Sequence, residues 1–279
     1  MKNKAFLMAT LAISVLILSG CPALLDIIGT TTTTTSTSTS TTTTLAPTED
    51  ENVLTGADAA SCDEGKLAVT SAGREYIVVN RILAGGATQT LTYEDDGDFE
   101  VSEQTHSLAA GPASFPSIFI GNNNRHATTD SNLPVLCGDL LSIHSTWTWS
   151  SADAPTADFV AQYELWLVSD PAIGDIAAPD KTLSIWLTTQ GAHSPSGSNI
   201  GTVALAGKTW NVWKDGSSMS YVAQSTTTGI DFDLKAFIGD AISRSAISNS
   251  DNLHDIFAGF KIWSNGAGLA SSGFSAVVE

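Results

Sequence analysis

In residues 182–187 (TLSIWL), Thr182, Ser184 and Trp186 alternate with Leu183, Ile185 and Leu187. In residues 163–168 (YELWLV), Glu164 and Trp166 alternate in the same way with Tyr163, Leu165 and Leu167. Period two marks a strand with one face on a core. Each segment therefore offers an apolar face and a second face of hydroxyl, carboxylate and indole groups. An indole gives flat apolar area and its polar neighbours fix orientation, a combination that suits a sugar ring better than a solvated edge. Hydrolysis on such a surface would use two carboxyl groups, one of them as the acid. Among the outward groups of these two segments, Glu164 is the one carboxylate.

Other chemistries are poorly supplied. His144, His193 and the remaining histidines lack metal-ligand spacing and read as surface or loop residues. Asp95-Asp96-Gly97-Asp98 lacks the later glutamate of a calcium loop and reads as an acidic hairpin turn. There is no phosphate-cradling glycine loop and no nucleophile elbow. Neither a metal nor a cofactor is expected.

The elements that must hold these residues are almost all strands. Tyr76–Arg81, Thr88–Tyr93, Asp98–Ser102, Ser114–Gly121 and Ser142–Trp149 are strand-like runs separated by turn residues. After the 182–187 strand comes a Gly/Ser/Pro loop (Gly191 to Ser198), then Gly201–Leu205 and Thr209–Trp213 as a hairpin. Asp231 to Ile242 carries Leu234, Phe237, Ile238 and Ile242 at helical spacing, with Asp231 or Asp233 placed to cap it. Trp147, Trp149, Trp210 and Trp213 are expected to fill the core.

The N-terminus is organised differently. Lys2 and Lys4 precede an apolar run that ends in Leu18-Ser19-Gly20-Cys21, which describes a secretory signal over residues 1–20. Leu-Ser-Gly-Cys resembles the bacterial lipobox, which implies a lipid-modified Cys21 and anchoring in the cell envelope, at the outer membrane or cell surface. Thr30 to Thr44 is an unbroken Thr/Ser tract, read within a linker over 21–50 as an extended spacer. Residues 51–279 suit one all-β domain. Without Lys2 and Lys4, ten basic residues face 29 acidic ones, a net charge of −19. Such a chain is repelled by nucleic acid and anionic lipid, while a neutral polymer is not excluded. With Cys21 lipidated, Cys62 and Cys137 remain in an oxidising compartment and are expected to pair, contributing about 4 kcal/mol.

The block from Lys181 to Trp213 resembles the glycoside hydrolase family 12 endoglucanases. Ile185-Trp186-Leu187, Ser194-Pro195-Ser196-Gly197-Ser198, Gly201-Thr202-Val203, Gly207 and Trp210 follow the family's order and spacing. Residues 257–278 resemble its last strands through Ala258, Gly259, Phe260, Trp263, Gly266 to Ala270, Phe274 and Ser275. Pro116 to Gly121, Asn132-Leu133-Pro134 and Val78 to Ile82 match more loosely. The resemblance implies a concanavalin-like β-jelly-roll of two antiparallel sheets with a concave groove and one helix. It puts Thr182 where the family has its nucleophilic glutamate and Lys261 where it has its acid/base glutamate. Glu164 falls at the aspartate that supports the nucleophile, and Ile82 at a sugar-stacking tryptophan. A second register, with YELWL as the nucleophile strand, would need a large deletion before the Pro195 loop and would leave TLSIWL unexplained. The family bridge from an N-terminal cysteine has no partner here, since Thr90 stands at its position.

The resemblance also implies that Trp166, Ser184, Trp186, Trp263 and Asn80 bind substrate. Thr182 offers an unactivated hydroxyl and Lys261 a weak acid, so Lys261 and Glu164 are expected to pair on the groove floor. Three readings follow: a lipid-anchored monomer that binds a β-glucan without cleaving it, an active endo-β-1,4-glucanase with relocated carboxylates, or an interaction lipoprotein that keeps only the scaffold.

Overall fold

The computed structural model describes residues 53–56, 64–69 and 73–279, apart from 85, 124, 172, 173 and 177. The signal segment, Cys21, the Thr/Ser tract and Cys62 lie outside the described residues. In chain order the strands are β1 (Val53–Gly56), β2 (Glu64–Val69), β3 (Glu75–Asn80), β4 (Gln89–Tyr93), β5 (Phe99–Gln104), β6 (Ser117–Ile120), β7 (Asn122–Asn123), β8 (His126–Ala127) and β9 (Val135–Leu136). They continue as β10 (Ile143–Ser150), β11 (Asp158–Val168), β12 (Lys181–Gln190), β13 (Ser198–Leu205), β14 (Lys208–Asp215), β15 (Ser218–Ala223) and β16 (Gly229–Asp233). The helix α1 (Lys235–Ser243) then precedes β17 (Asn252–Ser264) and β18 (Ala270–Val278).

Two large sheets form the expected jelly-roll sandwich. One has six strands in the order β1-β4-β5-β18-β10-β16; the other has ten, along the path β13-β14-β15-β12-β11-β17-β6-β3-β2 with β9 also on β17. Pairing is antiparallel except between β12 and β15. Strand β10 shows why the sheets stack. Ile143, Ser145, Trp147 and Trp149 point inward and are buried, while their neighbours face solvent or its margin. They meet Tyr163, Leu165, Leu183, Ile185 and Phe260 from the larger sheet in one apolar layer. Ser145 Oγ and the Tyr163 hydroxyl close a 2.7 Å hydrogen bond across it. Trp210 belongs to this core, whereas Trp213 is only half-buried.

Strand β11 is buried almost throughout. Its inner face feeds the core, so something must cover its outer face as well. That outer face holds the candidate site.

Two expectations need correction. The helix begins at Lys235 rather than Asp231, because residues 229–233 form β16 on β10. Ile230 and Phe232 alternate inward with period two; the helical set starts only at Leu234, with Phe237, Ile238 and Ala241 buried. Asp233 accepts hydrogen bonds from the N–H groups of Lys235 and Ile143, but Asp231 faces outward beside His144.

The second correction concerns the disulfide. Cys137 is a buried free thiol, hydrogen-bonded through its N–H to Asp251 O, and carries no disulfide; Cys62, its expected partner, lies outside the described residues.

Candidate functional site

Outward-facing positions of four neighbouring strands line an open cleft of ≈ 340 Å³ on the larger sheet. Strand β11 contributes Glu164, β12 contributes Thr182, Ser184 and Trp186, β15 contributes Ser218 and Ser220, and β17 contributes Lys261 and Trp263. Ser194, Pro195, Ser196, Pro112 and Asp215 complete the rim. The alternation that sent Leu183, Ile185 and Leu187 into the core sent the polar and aromatic set here.

An ion pair occupies the floor. Lys261 Nζ lies 2.6 Å from Glu164 Oε2, as the sequence led us to expect. Gln162 Nε2 donates to the same oxygen at 2.7 Å, and Trp166 Nε1 donates to Oε1 at 2.9 Å. Burial pushes the Glu164 carboxyl up, but the Lys261 charge, the hydrogen bonds from Lys261 and Trp166, and the Arg81 guanidinium together hold it below the ordinary value. It is ionised, and both of its oxygens already accept hydrogen bonds. Thr182 lies on the neighbouring strand, in register with Trp166.

The aromatic residues divide. Trp186 and Trp263 line the cleft and pack with Val160 and Val222. Trp186 Nε1 is a buried donor without a hydrogen-bond partner. Trp166 does not line the cleft, contrary to expectation. It packs against Phe257 at 5.0 Å between ring centroids, inside a cluster with Ile77, Phe115 and Phe119, and acts on the site only through its bond to Glu164. Asn80 is also misplaced by the sequence reading. Its amide donates to Leu54 O and Gln89 O and accepts from Gln89 Nε2, which ties β3 to β1 and β4 away from the cleft. Ile82 is buried in a bridge to Ser114.

Sequence reasoning overlooked two side chains. His193 is not a simple surface residue: its ring stacks on Trp263 at 3.7 Å and 13°, and its Nε2 lies 2.5 Å from Asp158 Oδ1. This contact pins the loop bearing Ser194, Pro195 and Ser196. Gly191 makes it possible, with φ +114 and a position where a Cβ would fall 1.9 Å from Asp158 Oδ1. The second is Arg81, buried, with its guanidinium 5.1 Å from the ring centroids of both Trp166 and Phe257. The signal was a charged residue continuing the outward parity of Val79 on a strand of buried residues. Among the described residues no group of three or more His, Cys, Asp or Glu could hold a metal ion.

Comparison with known proteins places this geometry. The sequence profile described as Glycosyl hydrolase family 12 matches residues 70–279. A Mycobacterium tuberculosis protein described as probable cellulase Cel12b is 32% identical over 154 residues, 53% of this chain and 99% of its own length. Xyloglucan-specific endo-beta-1,4-glucanase A of Emericella nidulans is 37% identical over 127 residues, which cover 43% of this chain and about half (51%) of that protein. Among solved structures, endoglucanase cel12A from Rhodothermus marinus superimposes with a TM-score of 0.71 at 30% identity, over 81% of this chain and 98% of that one. A family 12 xyloglucanase from Bacillus licheniformis, 20% identical with a TM-score of 0.65 over 81% of this chain and 99% of that one, shares the fold.

Proposed function

Because this chain belongs to glycosyl hydrolase family 12, we propose that its cleft binds a β-glucan-type polysaccharide and does not hydrolyse it. We further propose that lipid on Cys21 anchors the domain at the bacterial surface, with the Thr/Ser tract as spacer. Relatives named as a cellulase and as xyloglucan-specific endo-β-1,4-glucanases support a β-1,4-glucan backbone as the ligand. The hydroxyls of Thr182, Ser184, Ser218 and Ser220 beside two indoles suit a neutral, polyhydroxylated chain.

The observation that carries the reading is the 2.6 Å contact between Lys261 and Glu164. Retaining hydrolysis requires a protonated carboxyl on one side of the scissile bond and a free carboxylate about 5–5.5 Å away. In this reading Thr182 and Lys261 occupy those two positions, so the site lacks both family glutamates. Glu164 is ionised, so it has no proton to give, and the lysine ammonium on its Oε2 lowers its strength as a nucleophile. Loss of general acid catalysis alone costs about 10²–10⁴ in rate.

A second reading, hydrolysis by relocated carboxylates, is favoured by Asp215, which shares the cleft rim. Affinity electrophoresis in gels cast with xyloglucan, mixed-linkage glucan or carboxymethylcellulose tests the proposal. The expected result is retardation by at least one glucan with no release of reducing ends. Unchanged mobility in every gel would reject binding. Hydrolysis abolished by Asp215→Asn would establish the second reading.

A further inference from the structure

The first residues of β17 carry two buried ionisable groups that the cleft does not use. Pairing with β11 skips one residue there: Asp255 stands opposite Trp166, Leu253 opposite Leu167, and His254 sits in the bulge between them. The side chains of His254 and Asp255 are 1% and 0% exposed. Asp255 Oδ1 accepts the Asn122 N–H at 2.7 Å, and Oδ2 accepts from Asn123 Nδ2 at 3.4 Å. Gly121 permits this approach, since a Cβ there would fall 2.0 Å from Asp255 Oδ1. His254 reaches a second loop, with Nε2 3.0 Å from Gly174 O, while its Nδ1 lies 3.1 Å from Asp255 Oδ2.

These partners fix the number of protons. A carbonyl oxygen only accepts, so Nε2 carries a hydrogen. With Nδ1 bare and Asp255 ionised, two lone pairs would face each other at 3.1 Å in a buried site. One further proton therefore lies in that contact, as imidazolium against carboxylate or as carboxylic acid against neutral ring. Burial pushes the Asp255 carboxyl up, against the pull of His254, Asn122 and Asn123. On the segments packed around the pair, Arg81 donates to Asn123 Oδ1, Arg125 and His126 follow on the β7–β8 hairpin, and exposed Asp175 lies between Gly174 and Ile176. Trp166 of β11, Ile120 of β6 and Val135 of β9 bring no charge.

The pair anchors more than itself. Asn123 Nδ2 also donates to Ile176 O at 2.9 Å, and Ile176 packs with Phe119, Trp166 and Phe257 on the outer face of the sheet. We infer that His254 and Asp255 share one proton and form a pH-sensitive clasp. It holds the Asn122–Asn123 and Gly174–Ile176 segments on the larger sheet and loosens them as the proton is lost in alkaline solution. A free imidazole gives up its proton at about pH 6.5, so above that the folded chain holds one proton more than the unfolded chain. Stability then falls as pH rises. The clasp stands whether or not the cleft binds glucan.

Urea unfolding of the full-length chain from about pH 7 to pH 9, beside Asp255→Asn, tests this. The variant's amide can donate to Nδ1, so it needs no extra proton. The unfolding constant of wild type should rise with pH by up to about tenfold per unit more than that of the variant; Cys137 and the tyrosines contribute equally to both. Amide exchange at Asn122 and Ile176, taken relative to Tyr163 in the core, should accelerate over the same range in wild type. Equal slopes, or a constant exchange ratio, would overturn the clasp. Where Asp255→Asn does not fold, proton–nitrogen correlation spectra of the wild-type imidazoles decide. His254 should keep one unchanging ring signal from about pH 5 to pH 8, and a ring that deprotonates at about the ordinary value would overturn the proposal.

Discussion

Glu164 is held by more donors than a carboxylate on an open surface would find. Lys261, Gln162 and Trp166 contact its two oxygens, and Arg81 adds charge from beyond Phe257. Its pKa is depressed, so the stability it contributes is complete above the ordinary value of 4.5 and is lost as pH falls through the lower folded value. Urea unfolding across the acidic range should therefore show a steeper loss for wild type than for Glu164→Gln. Equal slopes would contradict the pairing. Lys261→Met strands the carboxylate and should cost toward the lower end of about 3–5 kcal/mol, since the lysine keeps some contact with solvent; chemical denaturation reads it. Trp186 calls for a gentler substitution. Removing its ring would cost about 3–5 kcal/mol of packing, so loss of binding in Trp186→Ala would be ambiguous. Trp186→Phe keeps an apolar plate and deletes the unpartnered Nε1; glucan affinity should fall with the melting temperature close to wild type.

At the scale of elements, the loop after β12 is fixed by one residue that tolerates a left-handed backbone. Gly191→Ala introduces about 1–3 kcal/mol of strain and drives a methyl into Asp158, which should release His193 from Trp263. Thermal melting should drop and glucan retardation weaken together; a variant that matches wild type in both would show that the loop does not depend on the His193–Asp158 contact. The strands that carry the site were legible because period two is rigid: once Leu183, Ile185 and Leu187 point inward, Thr182, Ser184 and Trp186 can only point out. Residues 229–233 were misread because Leu234 belongs to both patterns, closing the alternation of Ile230 and Phe232 and opening the helical set. Parity gave the face of Trp166 but not what lies on that face. The cluster over it comes from loops distant in sequence, and nothing local in YELWLV announces Ile176 or Arg81. Asn80 failed for the complementary reason: its partners sit on β1 and β4, and their proximity is a product of tertiary packing.

For the molecule as a whole, the sandwich is held by its core without a cross-link through Cys137. Burial pushes that thiol up to about 12, so it is un-ionised at neutral pH and closed to alkylation in the native state. Melting temperature should be the same with and without dithiothreitol, and iodoacetamide should modify Cys137 only after denaturation. A bridge closing a loop of that length would instead have contributed about 4 kcal/mol, a shift too large to miss. The larger sheet does two things at once, giving its inner face to the core and part of its outer face to the cleft. The cleft decides function, and the decision rests on whether any group there can donate a proton to a glycosidic oxygen. The most direct measurement is reducing-sugar release from xyloglucan, mixed-linkage glucan and carboxymethylcellulose by the purified chain across acidic to neutral pH, alongside Glu164→Gln. The account predicts no release above the buffer blank from either protein at any pH; release by wild type that disappears in Glu164→Gln would contradict it.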